Sequence, residues 1–120
     1  MRTVFISHAF SGEVERNAQR VLAIARTCAM QGVLPLAPQS YLPQFIDEGT
    51  ERELALRLCL GLVALCDEVR VYGELSAGMR LEIAEARCLG IPVVDGETGE
   101  AMPAKREPPR RANAGAAVER

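Results

Sequence analysis

The chain has 120 residues, of which 48% are hydrophobic and 25% charged, and its formal net charge is −2. This length and composition are typical of one globular domain whose core needs no disulfide or metal. Tryptophan is absent and aromatic residues make up only 4%, which excludes a platform of stacked rings for single-stranded nucleic acid.

The charge is unevenly distributed along the chain. From Pro103 onward the chain has five Lys and Arg residues and two Glu residues, a net charge of +3. Because the whole chain has a net charge of −2, residues 1–102 have a net charge of −5. An acidic folded body disfavours specific binding of nucleic acid. We predict a folded domain over residues 1–102 and a disordered basic tail over residues 103–120.

The cysteines form no metal-binding or redox motif. Cys28, Cys59, Cys66 and Cys88 contain no C-x-x-C pair, and the single histidine, His8, cannot complete a zinc set. We therefore predict buried reduced thiols, no metal and no cofactor. The sequence shows no signal peptide and no apolar run of about twenty residues, so we expect a cytoplasmic protein with no membrane contact.

Hydrophobic periodicity predicts four strands that alternate with three helices. The predicted strands are 3–6, 33–38, 68–73 and 91–94, and the predicted helices are 14–29, 50–65 and 76–89. Gly32 is placed to end the first helix, and Ser76 to cap the third. Thr50 and Glu53 have the spacing of a capping box for the second helix.

Alternating strands and helices predict an α/β fold, a Rossmann- or flavodoxin-like three-layer sandwich with a small parallel sheet flanked by helices. The commonest strand order for such a small sheet, 2-1-3-4, places the topological switch point between the first and third strands. Ligands of open parallel sheets bind at that point, at the carboxyl ends of the strands. The loops after these two strands, SHAFSG (7–12) and GELSAG (73–78), are therefore predicted to border a crevice.

The segment SAGMRLE (76–82) combines a helix N-terminus with a carboxylate. Backbone N–H groups at such a terminus favour polar or anionic ligand atoms, and Gly78 allows a ligand to approach the backbone closely. Glu82 lies about one and a half turns into the helix. On the crevice side its carboxylate would be a nucleophile or general base, whereas on the outer side it would be solvated.

Four motifs point to one family. They are VFIS (4–7), the G-x-x-x-x-N spacing of Gly12 and Asn17, CDEVRVYG (66–73) and S-x-G-M-R-x-E-I-x-x-A-x-x-L-G-I-P-V (76–93). Together they resemble the nucleoside 2-deoxyribosyltransferase-like superfamily, and within it the small DUF4406/DUF7768 branch. The resemblance covers residues 3 to about 95, and its most specific part is the last motif.

The resemblance implies a protein that cleaves or exchanges the N-glycosidic bond of a nucleoside or nucleotide. Glu82 would attack the anomeric carbon of the sugar and form a glycosyl-enzyme ester. The substrate-binding residues that the resemblance and the crevice together indicate are Ser7, His8, Gly73, Ser76, Gly78 and Met79. His8 on its own is more often a structural hydrogen-bonding residue than a catalyst.

Two positions depart from the family pattern. Cys59 stands where active members carry an acid that orients the nucleophile, eight residues before Asp67, and Ser76 stands where members commonly carry an acidic sugar ligand. The alternative is therefore a nucleotide-binding module that kept the fold and lost the chemistry. A third reading follows from VFISHA, which resembles the opening of NAD-cleaving TIR domains; their catalytic Glu usually follows a Trp-Cys pair, and this chain has no Trp.

The segment LALRLCLGLVALC (54–66) is apolar on more than one side. Leu54, Leu58, Leu62 and Leu65 share one face of the predicted helix. A helix of this kind covers the sheet with one face and leaves another for a partner. We predict a homodimer or larger homo-oligomer.

Overall fold

A computed structural model describes residues 1–103, so the predicted basic tail lies outside the described residues apart from Pro103. The elements in chain order are β1 (Thr3–Ser7), α1 (Val14–Met30), β2 (Leu34–Leu36), α2 (Arg52–Val63), β3 (Glu68–Val71), α3 (Ala77–Cys88) and β4 (Val93–Asp95). Two single-turn 3-10 helices, Pro38–Ser40 and Leu42–Gln44, lie between β2 and α2. All seven predicted elements are present, and three of the strands are shorter or shifted by one or two residues.

The strands form one parallel sheet in the order β2-β1-β3-β4. This confirms the predicted fold class and strand order. Val4 of β1 is paired with Pro35 on one side and Glu68 on the other. Because β1 and β3 are neighbours, the loops that follow them meet at the carboxyl edge of the sheet, which is the predicted switch point.

The sheet lies between two helical layers. On one face Val4 packs with Val21 of α1, and on the other Phe5 packs with Val63 of α2 and Ile83 of α3. Successive side chains of a strand point to opposite faces, so neighbouring residues of β1 serve two separate cores. The same alternation sends Ser7 towards α3 and His8 towards α1.

The predicted caps are confirmed for α1 and α3 and wrong for α2. Gly32 follows α1 with a φ of 81°, and the Ser76 hydroxyl accepts a hydrogen bond from the backbone N–H of Met79 at 3.2 Å. In contrast, α2 begins at Arg52 after Glu51, with no side-chain capping hydrogen bond. The predicted capping box of Thr50 is therefore absent.

Asp47 explains why Thr50 does not cap α2. Its Oδ1 accepts hydrogen bonds from the backbone N–H groups of Gly49 at 2.8 Å and Thr50 at 3.3 Å. The backbone N–H of Asp47 in turn donates to Oε1 of Glu51 at 3.0 Å. This side-chain-to-backbone turn holds Thr50 in the loop and competes with helix initiation there.

Burial corrects one further expectation, that all four cysteines are buried. Cys88 is exposed, while Cys28, Cys59 and Cys66 are buried, and none of the four, all within residues 1–103, is in a disulfide. Burial, with the neighbouring carboxylate of Asp67, raises the pKa of the Cys66 thiol to about 11, so this thiol stays protonated at neutral pH.

Glu68 links β3 to the N-terminus through two ion pairs. Its carboxylate accepts a hydrogen bond from Nε of Arg70 at 2.6 Å and from Nη2 of Arg2 at 2.9 Å. Burial alone would raise the pKa of Glu68, but the hydrogen bonds and charges of the two arginines outweigh it and lower the pKa below its ordinary value of 4.5. Glu68 therefore favours the folded state when it is ionised.

Replacing Glu68 by Gln is expected to make the free energy of unfolding less dependent on pH at acid pH. Because the folded-state pKa is lowered, the stabilisation is full above about pH 5 and is lost as the pH falls through the lowered pKa. The Gln variant lacks this pH dependence and is about 1–3 kcal/mol less stable at pH 7, since the charge of Arg70 loses its partner. Urea unfolding midpoints at pH 7 and pH 3 measure both effects. Glu53→Gln, on the exposed side of α2, is the control, and an equal pH response in wild type and Glu68→Gln would contradict this account.

Candidate active site

Ser7 and Glu82 form a buried hydrogen bond at the carboxyl end of β1. The Ser7 hydroxyl donates to Oε1 of Glu82 at 2.8 Å. Ser7 is fully buried, and only 6% of the surface of Glu82 is exposed. Carboxylates are seldom buried to this degree, so Glu82 does not have the solvated surface position that is ordinary for a helical glutamate.

The sequence of α3 explains how a carboxylate comes to lie under the sheet. The buried residues of this helix are Gly78, Met79, Glu82, Ile83 and Ala86. Their spacing of one, three, one and three residues forms a single stripe that faces the sheet. Glu82 occupies a position in this stripe that an apolar residue would ordinarily take, and Ser7 supplies the hydrogen bond that a buried carboxylate requires.

His8 and Gly73 border a cavity of about 300 Å³ at the same edge of the sheet, on the side of α1. Tyr72, Asn17 and Arg20 belong to its lining. Gly73 has a φ of 73°, a conformation that glycine adopts without strain, and it turns the chain away directly after β3. This cavity marks the α1 side of the predicted crevice.

The structure divides the predicted site residues between the two faces of the sheet. Ser7 and Glu82 meet on the α3 side, whereas His8 and Gly73 line the cavity on the α1 side. Ser7 was predicted to contact substrate, but its hydroxyl is in direct contact with Glu82. The two groups of residues approach each other only at the carboxyl edge, around the ends of β1 and β3.

The remaining predicted residues lie in the first turn of α3. Ser76 caps the helix with its hydroxyl, and its backbone N–H lies 3.5 Å from the sulfur of Met79. Met79 is 2% exposed and packs in the core formed with α2, and Gly78 is buried as well. These three residues fix the position of the helix start, and contact of their side chains with a ligand stays a prediction.

Gln39 is a buried polar residue near this edge of the sheet that sequence reasoning missed. Its Nε2 donates to the backbone carbonyl oxygens of His8 at 3.2 Å and Ala9 at 3.4 Å, and its side chain is buried. It follows β2 and therefore reaches the same edge of the sheet from the other side of β1. A polar residue directly after a predicted strand was the only signal for it in the sequence.

A residue of the hydrophobic core, Cys59, stands at the position where active family members carry an acid. Cys59 is fully buried in the cluster that joins α2, α3 and the sheet. A thiol cannot supply the charge of the carboxylate it replaces. Asp67, eight residues after Cys59, accepts a hydrogen bond from the backbone N–H of Thr3 at 2.7 Å. Thr3 is at the amino end of β1, so Asp67 lies at the opposite edge of the sheet from Glu82.

Residues 1–103 contain neither a metal-binding cluster nor a membrane-spanning helix. No group of three or more His, Cys, Asp or Glu side chains there is arranged to hold a metal ion. None of the helices in the same range has the length and apolar character to cross a membrane.

Comparison with known proteins places the fold in a class. The solved structure of a 2-deoxyribosyltransferase from the psychrotolerant bacterium Bacillus psychrosaccharolyticus superposes with a TM-score of 0.63 over 77% of this chain and 70% of the other, at 16% sequence identity. The fold is therefore nucleoside 2-deoxyribosyltransferase-like.

The family is established by sequence. Residues 2–95 match the family model described as a domain of unknown function, DUF7768, and the chain belongs to that family. A search of curated proteins found no match. The predicted family resemblance and the predicted fold are both confirmed.

Proposed function

We propose that the protein cleaves or transfers the N-glycosidic bond of a nucleoside or nucleotide, with Glu82 as the nucleophile. The observation that carries this proposal is the buried carboxylate of Glu82, held by the Ser7 hydroxyl at 2.8 Å beside the switch point of the sheet. The fold shared with a 2-deoxyribosyltransferase supports the same chemistry. A buried carboxylate at the ligand-binding edge of a parallel sheet is more costly than a neutral residue would be, which favours a functional reason for it.

The reaction has two steps. A carboxylate oxygen of Glu82 bonds to the anomeric carbon while the bond from that carbon to the base nitrogen breaks, and the base leaves with the electron pair and acquires a proton. Water then attacks the anomeric carbon, restores the carboxylate and releases the sugar; attack by a second base instead of water gives transfer. Burial of Glu82 limits the water that reaches the ester once it has formed, which gives a second base time to attack before hydrolysis.

Ser7 is proposed as the positioning residue for the nucleophile. The hydrogen bond from Ser7 fixes the rotamer of Glu82. Ser7 belongs to a strand, and strands position side chains more rigidly than loops do. In the family pattern an acid on the second helix has this task, and here Cys59 occupies that position. A neutral hydroxyl orients the carboxylate without repelling it, so Ser7 compensates in part for the missing acid.

The other predicted residues have binding roles in this proposal. His8 and Gly73 border the 300 Å³ cavity that would receive part of the nucleoside. The backbone of Ser76, Gly78 and Met79 forms the start of α3, where N–H groups favour polar ligand atoms. No cofactor enters the reaction, and a small-molecule substrate with reduced cysteines fits a cytoplasmic protein.

The test is release of free base from a panel of nucleosides and nucleotides, followed by chromatography. We expect base release by the wild-type protein and none by Glu82→Gln. Failure of the wild type to release base from any member of the panel would refute the catalytic proposal.

A nucleotide-binding module without catalysis is the second candidate, favoured by the fully buried Cys59 in place of the acid. In that case nucleosides or nucleotides raise the melting temperature, and above the Kd the rise grows with the logarithm of the ligand concentration. The same ligands release no base, and Glu82→Gln leaves the binding unchanged.

We also propose that the exposed leucines of α2 form the interface of a homo-oligomer. Ala55, Cys59 and Val63 are the buried residues of this helix, whereas Leu58 and Leu54 are 37% and 36% exposed. The helix thus has two apolar faces, one of them against the sheet and one outward.

Leu58→Glu is expected to convert the oligomer to a monomer, because a charge at the centre of an apolar interface is left without solvent. Light scattering at micromolar concentration measures the mass. Leu22→Glu, at a position on α1 that is 53% exposed, is the matched control and keeps the oligomer. A monomeric wild-type protein at this concentration would contradict the proposal.

A further inference from the structure

The loop between β1 and α1 forms one wall of the 300 Å³ cavity. The cavity is lined by His8, Ala9, Ser11 and Glu13 of this loop, together with Asn17 of α1. The loop follows the last residue of β1, so the sheet cannot supply hydrogen-bond partners for its backbone carbonyl groups. A loop of this kind is commonly mobile unless other groups bind those carbonyls.

Asn17 holds the half of the loop that is next to α1. Its Nδ2 donates to the carbonyl oxygens of Phe10 at 3.3 Å and Ser11 at 3.1 Å, and the two N–H groups of the amide match these two acceptors. Its backbone N–H donates to the carbonyl oxygen of Glu13 at 2.9 Å. The carbonyl oxygen of Gly12 accepts from the first residue of α1 at 3.0 Å. Asn17 thereby binds three of the four carbonyls of residues 10–13.

Gln39 holds the other half of the loop. Its Nε2 donates to the carbonyl oxygens of His8 at 3.2 Å and Ala9 at 3.4 Å. Every backbone carbonyl of residues 8–13 therefore has a hydrogen-bond partner. The loop is fixed from two sides, by α1 and by the segment after β2, before any ligand binds.

This geometry explains the G-x-x-x-x-N spacing of Gly12 and Asn17. Gly12 has a φ of 91°, which glycine adopts without strain, and it turns the chain from the loop into α1. Because α1 begins at Val14, Asn17 lies at the end of the first turn. Side chains of a helix lean towards its N-terminus, which brings the Asn17 amide back onto the loop. The proposed reaction does not use this motif, and its role is to hold the loop.

We propose that Asn17 is a positioning residue for substrate binding, because it holds residues 8–11 as a preformed wall of the cavity. This inference rests on the proposed function, since the ligand of the cavity is taken to be the nucleoside or nucleotide of that site. A released loop would lose conformational freedom when the ligand binds, and this loss would weaken binding. Ser7 and Glu82 are in contact on the other face of the sheet, so Asn17 affects binding and not nucleophilic attack.

Limited proteolysis tests whether Asn17 holds the loop, and it needs no ligand. Chymotrypsin cleaves after aromatic residues, so cleavage of the Phe10–Ser11 bond reports opening of the loop. The Phe45–Ile46 bond, which follows a side chain that is 62% exposed, is the internal reference. We expect Asn17→Ala to raise the rate of cleavage after Phe10, relative to the rate after Phe45, by at least about fivefold. Mass spectrometry of the fragments measures this ratio.

Two further variants separate hydrogen bonding from shape and from a general effect on α1. Asn17→Asp keeps the shape of the side chain but replaces the donor by a carboxylate, which carbonyl oxygens repel. It is expected to raise the cleavage ratio at least as much as Asn17→Ala does. Thr27→Ala removes another side-chain hydrogen bond on α1, from the Thr27 hydroxyl to the carbonyl oxygen of Ala23 at 3.1 Å. It is expected to keep the ratio within about twofold of the wild type.

Kinetics of base release test whether the held loop serves substrate binding. The substrate is the member of the nucleoside and nucleotide panel that the wild type cleaves fastest. We expect Asn17→Ala to raise KM about tenfold and to keep kcat within about threefold of the wild type. A residue with a merely structural role would lower the amount of active protein, and hence kcat, without a change in KM.

Three outcomes would overturn the inference. They are an unchanged cleavage ratio in Asn17→Ala, a wild-type ratio in Asn17→Asp, and a fall in kcat at constant KM. The proposed function is judged separately, by base release from the wild type. Without base release the proposed function fails, and the binding role of Asn17 fails with it, while a raised cleavage ratio still shows that Asn17 holds the loop. Base release with an unchanged cleavage ratio refutes this inference alone.

Discussion

Glu82→Gln lowers the rate of base release by at least about 1,000-fold, which is the largest effect expected of any single substitution in this protein. Loss of a nucleophile removes the covalent step altogether, and such losses commonly reach three to six orders of magnitude. The amide has the shape of the carboxylate, and its oxygen still accepts the hydrogen bond from Ser7. The variant is therefore expected to fold and to bind nucleosides, and steady-state kinetics with chromatographic detection of base measures the loss.

Glu85→Gln is the matched control for this substitution. It lies one turn further along α3, and its side chain is half-buried. We expect its rate to stay within about threefold of the wild type, since it is not in contact with Ser7. A similar rate in Glu82→Gln and the wild type would show that any activity resides elsewhere.

Substitution of Ser7 separates positioning from nucleophilic attack. Ser7→Ala is expected to lower kcat about 10- to 100-fold with little change in KM, because Glu82 loses the contact that fixes its rotamer. Ser7→Thr keeps a hydroxyl and restores most of the rate. A rate of Ser7→Ala equal to that of the wild type would show that the hydrogen bond has no part in catalysis.

Gly96→Ala is expected to destabilise the protein by about 1–3 kcal/mol, as overpacking of a core commonly does. A Cβ at Gly96 would overlap the ring of Tyr72 at Cζ and Cε1. Tyr72 is 8% exposed and packs with Val4 and Val21, so its ring cannot move aside without disturbing that core. Urea unfolding or calorimetry measures the change, and for a domain of this size the melting temperature falls by several degrees per kcal/mol.

Replacing Gly61 by Ala is expected to stabilise the protein, in contrast to Gly96→Ala. Gly61 lies inside α2, and a Cβ there meets no atom within 4 Å. Alanine is favoured over glycine in a helix by up to about 1 kcal/mol, so Gly61→Ala stabilises the protein. Equal effects of Gly96→Ala and Gly61→Ala would contradict the contact with Tyr72.

The sequence predicted the fold well because the fold depends on patterns that extend over many residues. Alternating strands and helices restrict the sheet to few arrangements, and the commonest order proved correct. The switch point and its two loops then followed without reference to any particular side chain. The capping box of Thr50 failed because a local competitor, the turn made by Asp47, decides where α2 begins.

The site was predictable in part. Glu82 was found from a motif, and its burial agrees with a functional role, but its contact with Ser7 was not foreseen. That contact depends on how closely β1 and α3 approach, which no spacing in the sequence reports. Gln39 was missed for the same reason, since its contact with the backbone of His8 and Ala9 joins residues some thirty positions apart.

Adjacent apolar residues that the sequence pattern could not distinguish differ in burial. Leu58 and Cys59 are neighbours on an apolar helix, yet Cys59 faces the core and Leu58 faces outward. Periodicity identified two apolar faces on α2 and could not say which of them the sheet would cover. The smaller residues Ala55, Cys59 and Val63 are the buried ones, and Cys59 and Val63 pack in the core that α2 shares with α3 and the sheet.

The central claim, that Glu82 is a nucleophile, is tested most directly by trapping the glycosyl-enzyme ester. A nucleoside with fluorine at the 2-position of the sugar destabilises the oxocarbenium-like transition state and slows hydrolysis of the ester. After incubation, intact-protein and peptide mass spectrometry are predicted to show one added fluorinated sugar on the peptide that contains Glu82, and none on the Glu82→Gln protein. Base release with no such adduct, or an adduct on a different residue, would contradict the claim.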